Sequence, residues 1–192
     1  MKNLKILLVA LFTFLITPVV QAEDATAFWQ ALKEGGKVVL VRHAEVDSSM
    51  GDSFLLDDSC FSEKNLNDFG RQQAKEIHKQ FVQHKIQIDK VLASPHCRTK
   101  ETAELAFGEF TVTPVLRLTK ALTPEQANDN IAKTKKLIAD FTKQGNLILV
   151  THRPNIGEIV SIRVEPSEMV VIEPLGDGLF DVITRIQLLT KE

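Results

Sequence analysis

Val38-Val39-Leu40-Val41-Arg42-His43-Ala44-Glu45 decides how this chain is read. After its first residue, the run from Lys37 to Val41 is apolar and largely β-branched, as a parallel strand covered on both faces requires. Arg42 and His43 follow at its carboxyl end. A guanidinium and an imidazole therefore stand side by side where a buried strand emerges into solvent. Two more strands of this kind lie downstream: Lys90-Val91-Leu92-Ala93, ended by Pro95, and Asn146-Leu147-Ile148-Leu149-Val150.

Helical signals alternate with these strands. Leu66-Asn67-Asp68 opens a helix with Asn67 as N-cap and Ala74, Ile77 and Phe81 at helical spacing. Arg98 to Phe107 is a second, carrying Ala103 and Leu105. Thr123-Pro124-Glu125-Gln126 starts a third, with Pro at N1, a capping-box Gln, and Ala127, Ile131, Ile138 and Phe141 as its buried stripe. Met169 to Ile172 and Leu179 to Leu188 flank Gly176-Asp177-Gly178 as a terminal hairpin or two edge strands. This order predicts an α/β fold, a three-layer sandwich with a mainly parallel central sheet.

The chain has 192 residues, and its first 22 read as a secretory signal. Lys2 and Lys5 precede an apolar run from Ile6 to Ile16, then Thr17-Pro18 and the small-residue site Val20-Gln21-Ala22, with cutting expected after Ala22. The alternative is an uncleaved anchor, since Leu4 to Val20 is nearly long enough to span a bilayer. Pro18 and the cleavage pattern favour removal, leaving residues 23–192 as one domain in the periplasm or outside the cell, with no stable membrane anchor. Losing Lys2 and Lys5 takes the formal charge from −2 to −4, which excludes a general nucleic-acid binder. In an oxidising compartment Cys60 and Cys97 are expected to pair, the alternative being two separate buried thiols.

Three strand ends carry related chemistry: Arg42-His43, Ser94-Pro95-His96-Cys97-Arg98, and Thr151-His152. In open α/β sheets ligands bind outside the carboxyl ends of the strands, so these loops should converge. Arg98 also falls at a predicted helix N-terminus, where free N–H groups favour an anion. Two Arg and two His on an acidic protein make a local cationic pocket, and a phosphoryl group is its natural ligand. Asn155 follows closely and is a candidate to touch ligand or to cap a short helix near Ile156. His78 and His84 are expected in solvent, and His96 is expected as a loop histidine, the alternative being a place at the pocket mouth.

At these residues the chain resembles the histidine phosphatase superfamily, of phosphoglycerate mutase-like fold. The resemblance rests on Val41-Arg42-His43-Ala44-Glu45, Leu66-Asn67-Asp68-Phe69-Gly70-Arg71-Gln72-Gln73-Ala74, Ala93-Ser94-Pro95-His96-Cys97-Arg98-Thr99 and Val150-Thr151-His152, in that order. It implies that His43 is the nucleophile and becomes phosphorylated, while Arg42, Arg98 and His152 bind phosphoryl oxygens. No metal or other cofactor is implied, and no ligand set stands at usual metal spacing.

One departure from the family pattern stands out. Many members carry a general acid in a Leu-x-Glu segment, where this chain reads Leu118-Thr119-Lys120. Glu125 and Glu45 are the remaining candidates, although Glu125 also suits a helix dipole and Glu45 also suits a role in orienting its loop. The sequence therefore predicts a metal-independent phosphatase acting on a small phosphomonoester or phosphoramidate. An envelope sugar phosphate is one option, and a non-catalytic phosphate-binding module is the alternative. The loop from Asp47 to Phe61 is expected at the pocket mouth.

Overall fold

A computed structural model describes residues 19–191. Residues 1–18 of the expected signal lie outside the described residues, and Val20-Gln21-Ala22 falls in the first turn of helix α1 (Val19–Glu34). Strand β1 (Val38–Arg42) follows, then α2 (Asp68–His84), β2 (Ile88–Ala93), α3 (Cys97–Phe107) and β3 (Thr111–Val112). The chain continues through α4 (Pro124–Ala139), β4 (Asn146–Thr151), α5 (Arg153–Val160) and the hairpin β5 (Met169–Gly176) and β6 (Leu179–Ile186).

The six strands form one sheet in the order β3-β2-β4-β1-β5-β6. β3, β2, β4 and β1 are parallel, β5 is antiparallel to β1, and β6 is antiparallel to β5. Alternating side chains feed two cores. Val39, Val41, Ile148 and Val150 pack with Phe28 and Trp29 of α1, Ile77 and Phe81 of α2, and Ala103 and Ala106 of α3. Val38, Leu40, Leu147 and Leu149 pack on the other face with Ile138 of α4 and Ile156 and Ile159 of α5. This is the predicted three-layer α/β sandwich. Its helix α1 and strand β3 went unread in the sequence. The α4 stripe is partly corrected, because Ala127, Ile131 and Phe141 are only half-buried while Thr134 is buried beside Ile138.

The topology places the site. β4 inserts between β1 and β2, so three adjacent parallel strands end together, with Arg42 opposite Thr151 and Ala93 opposite Val150. The exit of β1 is then clamped to the start of α2. Asn67 is the predicted N-cap: its Oδ1 accepts from Gly70 N at 2.7 Å, and its Nδ2 donates to Glu45 Oε1 at 2.8 Å.

Gly70 is required by that clamp, since a Cβ there would lie 2.0 Å from the Glu45 carbonyl oxygen. Backbone cannot swing aside as a flexible side chain can. Gly70→Ala should therefore lose about 1–3 kcal/mol despite its better helix propensity, read as a lower urea midpoint at unchanged slope.

Candidate active site

His43 leaves β1 with its N–H still on Thr151 O at 3.0 Å, so the ladder carries it past the strand end. Its ring is 5.4 Å from that of His152, the N-cap of α5, which directly follows Thr151 at the end of β4. Arg98, in the first turn of α3, reaches the same place: its Nη2 lies 3.4 Å from His152 Nδ1. All three are nearly sealed, with 8% of His43, 3% of Arg98 and 1% of His152 exposed. Arg42 lies alongside, its Nη1 donating to Val164 O at 2.8 Å and 3.7 Å from Glu165 Oε2.

The hydrogen bonds assign the tautomers. His43 Nδ1 is 2.8 Å from Ala44 O, which can only accept, so Nδ1 carries the proton and Nε2 keeps its lone pair. Arg98 can only donate, so His152 Nδ1 accepts and its Nε2–H donates to Ser94 Oγ at 2.8 Å. Burial, then the Arg98 charge, pushes His43 down to about 3. Burial also holds His152 well below the usual histidine range. Both imidazoles are thus neutral at ordinary pH. Burial lowers the Arg98 guanidinium to about 10 against the pull of Glu63, so it keeps its charge.

His96 is the main correction. It is not a surface loop residue but is fully buried, with its ring 4.9 Å from that of His152 and its Nδ1 3.2 Å from Glu63 Oε2. Burial and Arg98 lower it to about 4, so it donates Nδ1–H to the carboxylate as a neutral ring rather than forming an ion pair. Glu63 is itself 2% exposed and also accepts from Cys97 N at 2.9 Å and Asp57 N at 3.0 Å. The Cys60–Cys97 disulfide forms, with Cα atoms 5.8 Å apart, and fastens this loop beside Arg98. Arg98 Nη2 also donates to Ser53 O at 3.0 Å. Sequence reasoning missed Ser94 and Glu63; Glu63 is only one of many charged residues until the disulfide folds its loop back.

Among the described residues, the buried side-chain nitrogens without a hydrogen-bond partner are Arg42 Nε, Arg98 Nη1, His96 Nε2 and Arg117 Nε. The first three belong to this cluster, and the charge of Arg117 is felt by His96. Unpartnered guanidinium N–H groups gathered in one buried place are what an anion-binding pocket requires.

Other expectations are redirected. Asn155 is neither a helix N-cap nor available to ligand. It sits inside α5, where its Oδ1 accepts from Thr119 N at 3.1 Å and its Nδ2 donates to Arg117 O at 2.8 Å. It ties the segment that carries Leu118-Thr119-Lys120 to α5. Glu45 is slightly desolvated, yet the Lys191 ammonium and the Asn67 amide hold its pKa below the ordinary value. Glu125 is exposed in the first turn of α4, its pKa lowered by its own backbone N–H and the Thr123 side chain. His78 is exposed as expected, whereas half-buried His84 stacks on Trp29 at 4.2 Å.

A family model for the histidine phosphatase superfamily (branch 1) matches residues 38–122, the stretch holding Arg42, His43 and Arg98. The match takes in the first three of the four sequence motifs, and the fold is phosphoglycerate mutase-like. Its structure is similar to that of the protein histidine phosphatase SixA complexed with tungstate, at 14% identity and TM-score 0.58 over 79% of this chain and 96% of that one. Rv3214 from Mycobacterium tuberculosis is similar at 18% identity and TM-score 0.58, over 76% and 94% of the two chains. So is phosphoserine phosphatase from Entamoeba histolytica in complex with phosphoserine, at 15% identity and TM-score 0.54 over 78% and 95%. No curated protein matches the chain.

Two measurements test the electrostatics and the clamp. Native His43 and His96 protonate only near 3 and 4, but the unfolded chain protonates near 6.5. Their contribution is complete above pH 6.5 and is lost on acidification towards those values. Between pH 6 and 4.5 stability should fall, and His43→Gln should make the slope shallower by about 1.4 kcal/mol per pH unit, one proton's worth. Separately, Cys60→Ser/Cys97→Ser opens a loop of sequence separation 37. It should cost about 4 kcal/mol by chain entropy, seen as a lower melting temperature that reductant reproduces in the parent protein.

Proposed function

We propose that this protein is a metal-independent phosphatase that hydrolyses a phosphomonoester, or a phosphoramidate, through a phosphohistidine on His43. One observation carries the reading. A neutral imidazole, its Nδ1–H spent on Ala44 O, stands among guanidinium donors that lack other partners. Phosphate binding alone would not need a histidine held in the one tautomer that leaves its Nε2 lone pair free, so this favours an enzyme over a binding module.

Arg98 through Nη1 and Arg42 through Nε bind the phosphoryl oxygens, and His152 joins them. Nε2 of His43 attacks phosphorus in line, forming a new P–N bond as the bond to the leaving oxygen, or to the protonated leaving nitrogen of a phosphoramidate, breaks. Water then cleaves the P–N bond, releasing phosphate and restoring neutral His43. Fixed positive charge in a water-poor pocket meets the charge that shifts during transfer, so positioning and electrostatics supply most of the rate. Glu45 and Glu125 are committed elsewhere. A leaving group that needs no proton from the enzyme, such as an aryl oxide or a phosphoramidate nitrogen already protonated from solvent, is therefore favoured over a sugar alkoxide. Export to the periplasm fits this reading: it rests on the signal-like residues 1–22 and on a disulfide that persists in oxidising compartments.

The test is hydrolysis of an aryl phosphate in excess chelator. His43→Ala should lose at least about 10³-fold in kcat and Arg98→Ala about 10²–10³-fold, and acid-labile phosphate should be trapped on the parent enzyme only. Equal rates for parent and His43→Ala would overturn the proposal, and tight phosphate binding without turnover would establish the binding module instead.

A further inference from the structure

Large apolar side chains are not scattered evenly over this surface. Of the eleven exposed large hydrophobics among the described residues, five lie on one loop: Met50, Phe54, Leu55, Leu56 and Phe61, with Phe61 87% exposed. That loop borders the phosphoryl pocket. Ser53 O accepts from Arg98, placing Phe54 one residue from the guanidinium, and Cys60 is bonded to Cys97, placing Phe61 one residue from the bridge.

The loop is built rather than loose. Asp47 accepts from Ser49 N, Asp52 from Phe54 N, and Asp57 from the N–H groups of Ser59 and Ser62. Gly51, at φ +70°, brings the chain against Glu63, where a Cβ would lie 2.1 Å from the carbonyl oxygen. A hydrogen-bonded, disulfide-fastened loop that still holds five apolar side chains outward is a surface shaped to be covered.

Resting on the phosphatase reading, we infer that these residues form the leaving-group subsite, and that the substrate is an amphiphile: a phosphoryl group carried on an extended apolar body. The cationic pocket and the adjoining apolar rim are complementary to the two halves of such a molecule. A sugar would leave the rim wet. A bilayer is a poorer occupant, because Asp47, Asp52, Asp57 and Asp58 stand among the apolar residues and Lys64 is the only basic residue between positions 44 and 70, so the loop's own charge repels anionic lipid surfaces.

The probes are 4-methylphenyl phosphate, 4-octylphenyl phosphate below its micellar concentration, and a phenyl phosphate bearing a triethylene glycol tail of similar length. Their phenolic leaving groups differ little, so differences report on the tail. A fully buried methylene strengthens binding roughly fourfold, so seven partly covered ones should raise kcat/KM at least about tenfold for octyl over methyl. The glycol tail should give no gain. Phe54→Ser/Phe61→Ser should reduce the octyl-to-methyl ratio below about threefold, and Met50→Ser/Leu55→Ser should reduce it less. Equal kcat/KM for the three esters, or an octyl gain untouched by both double variants, overturns the inference while leaving the phosphatase intact.

Calorimetric binding of the same esters to His43→Ala keeps the question open to test without turnover. Tighter octyl binding there supports the rim even if no ester is hydrolysed, an outcome that would overturn only the catalytic reading. Co-sedimentation with phosphatidylcholine vesicles lacking phosphomonoester, or a dimer in solution, either one abolished by Phe54→Ser/Phe61→Ser, would assign the surface to a bilayer or to a second copy and overturn the proposal.

Discussion

A buried guanidinium governs this structure. Arg98 is 3% exposed and keeps its positive charge, and a cation in that position must be repaid by fixed dipoles and a carboxylate. Ser53 O meets it directly, His152 offers it a lone pair, and Glu63 supplies the opposite charge from one layer behind. Two of these partners, Ser53 and Glu63, come from the loop after β1, and His152 comes from the end of β4. The loop after β1, the end of β4 and the start of α3 are held together by what this charge requires. Burial, reinforced by the same charge, keeps the neighbouring histidines neutral.

The disulfide acts on the same point. It joins the residue before Arg98 to the loop that carries Ser53 and Glu63, so the partners of Arg98 do not depend on a flexible loop closing correctly. Glu63 extends the clamp inward by accepting from Cys97 N and orienting His96 against His152. A small domain thereby gains a rigid floor and one wall of its pocket from about fifteen residues of loop. The loop's apolar side chains are left facing out, while its backbone and Glu63 face the buried guanidinium.

Much of the fold was legible because its signals are local. The apolar runs ending in Arg42 and Thr151, the Asn67 cap and the Thr123 capping box each depend on neighbours within a few residues, and each appears where the sequence placed it. Helix α1 was missed because it begins inside the signal-like segment, which masks its own amphipathic pattern. Asn155 was misread because its partners, Leu116, Arg117 and Thr119, are nearly forty positions away. His96 was misread for the same reason: a loop histidine becomes a core residue only when Glu63 is folded against it. Glu45 and Glu125 were reasonable acids until their hydrogen bonds were visible.

By itself the sequence determined the strand and helix order, and hence an α/β sheet whose carboxyl ends carry Arg42, His43, Arg98 and His152. Those features follow from residue type and short-range spacing, which folding does not alter. Only the tertiary structure decided which nitrogen of His43 is free, that His96 and Glu63 stand behind His152, and that an apolar rim borders the pocket. Those outcomes depend on contacts between residues far apart in the chain. The burial that creates them also sets the protonation states, so neither can be read before the chain is folded.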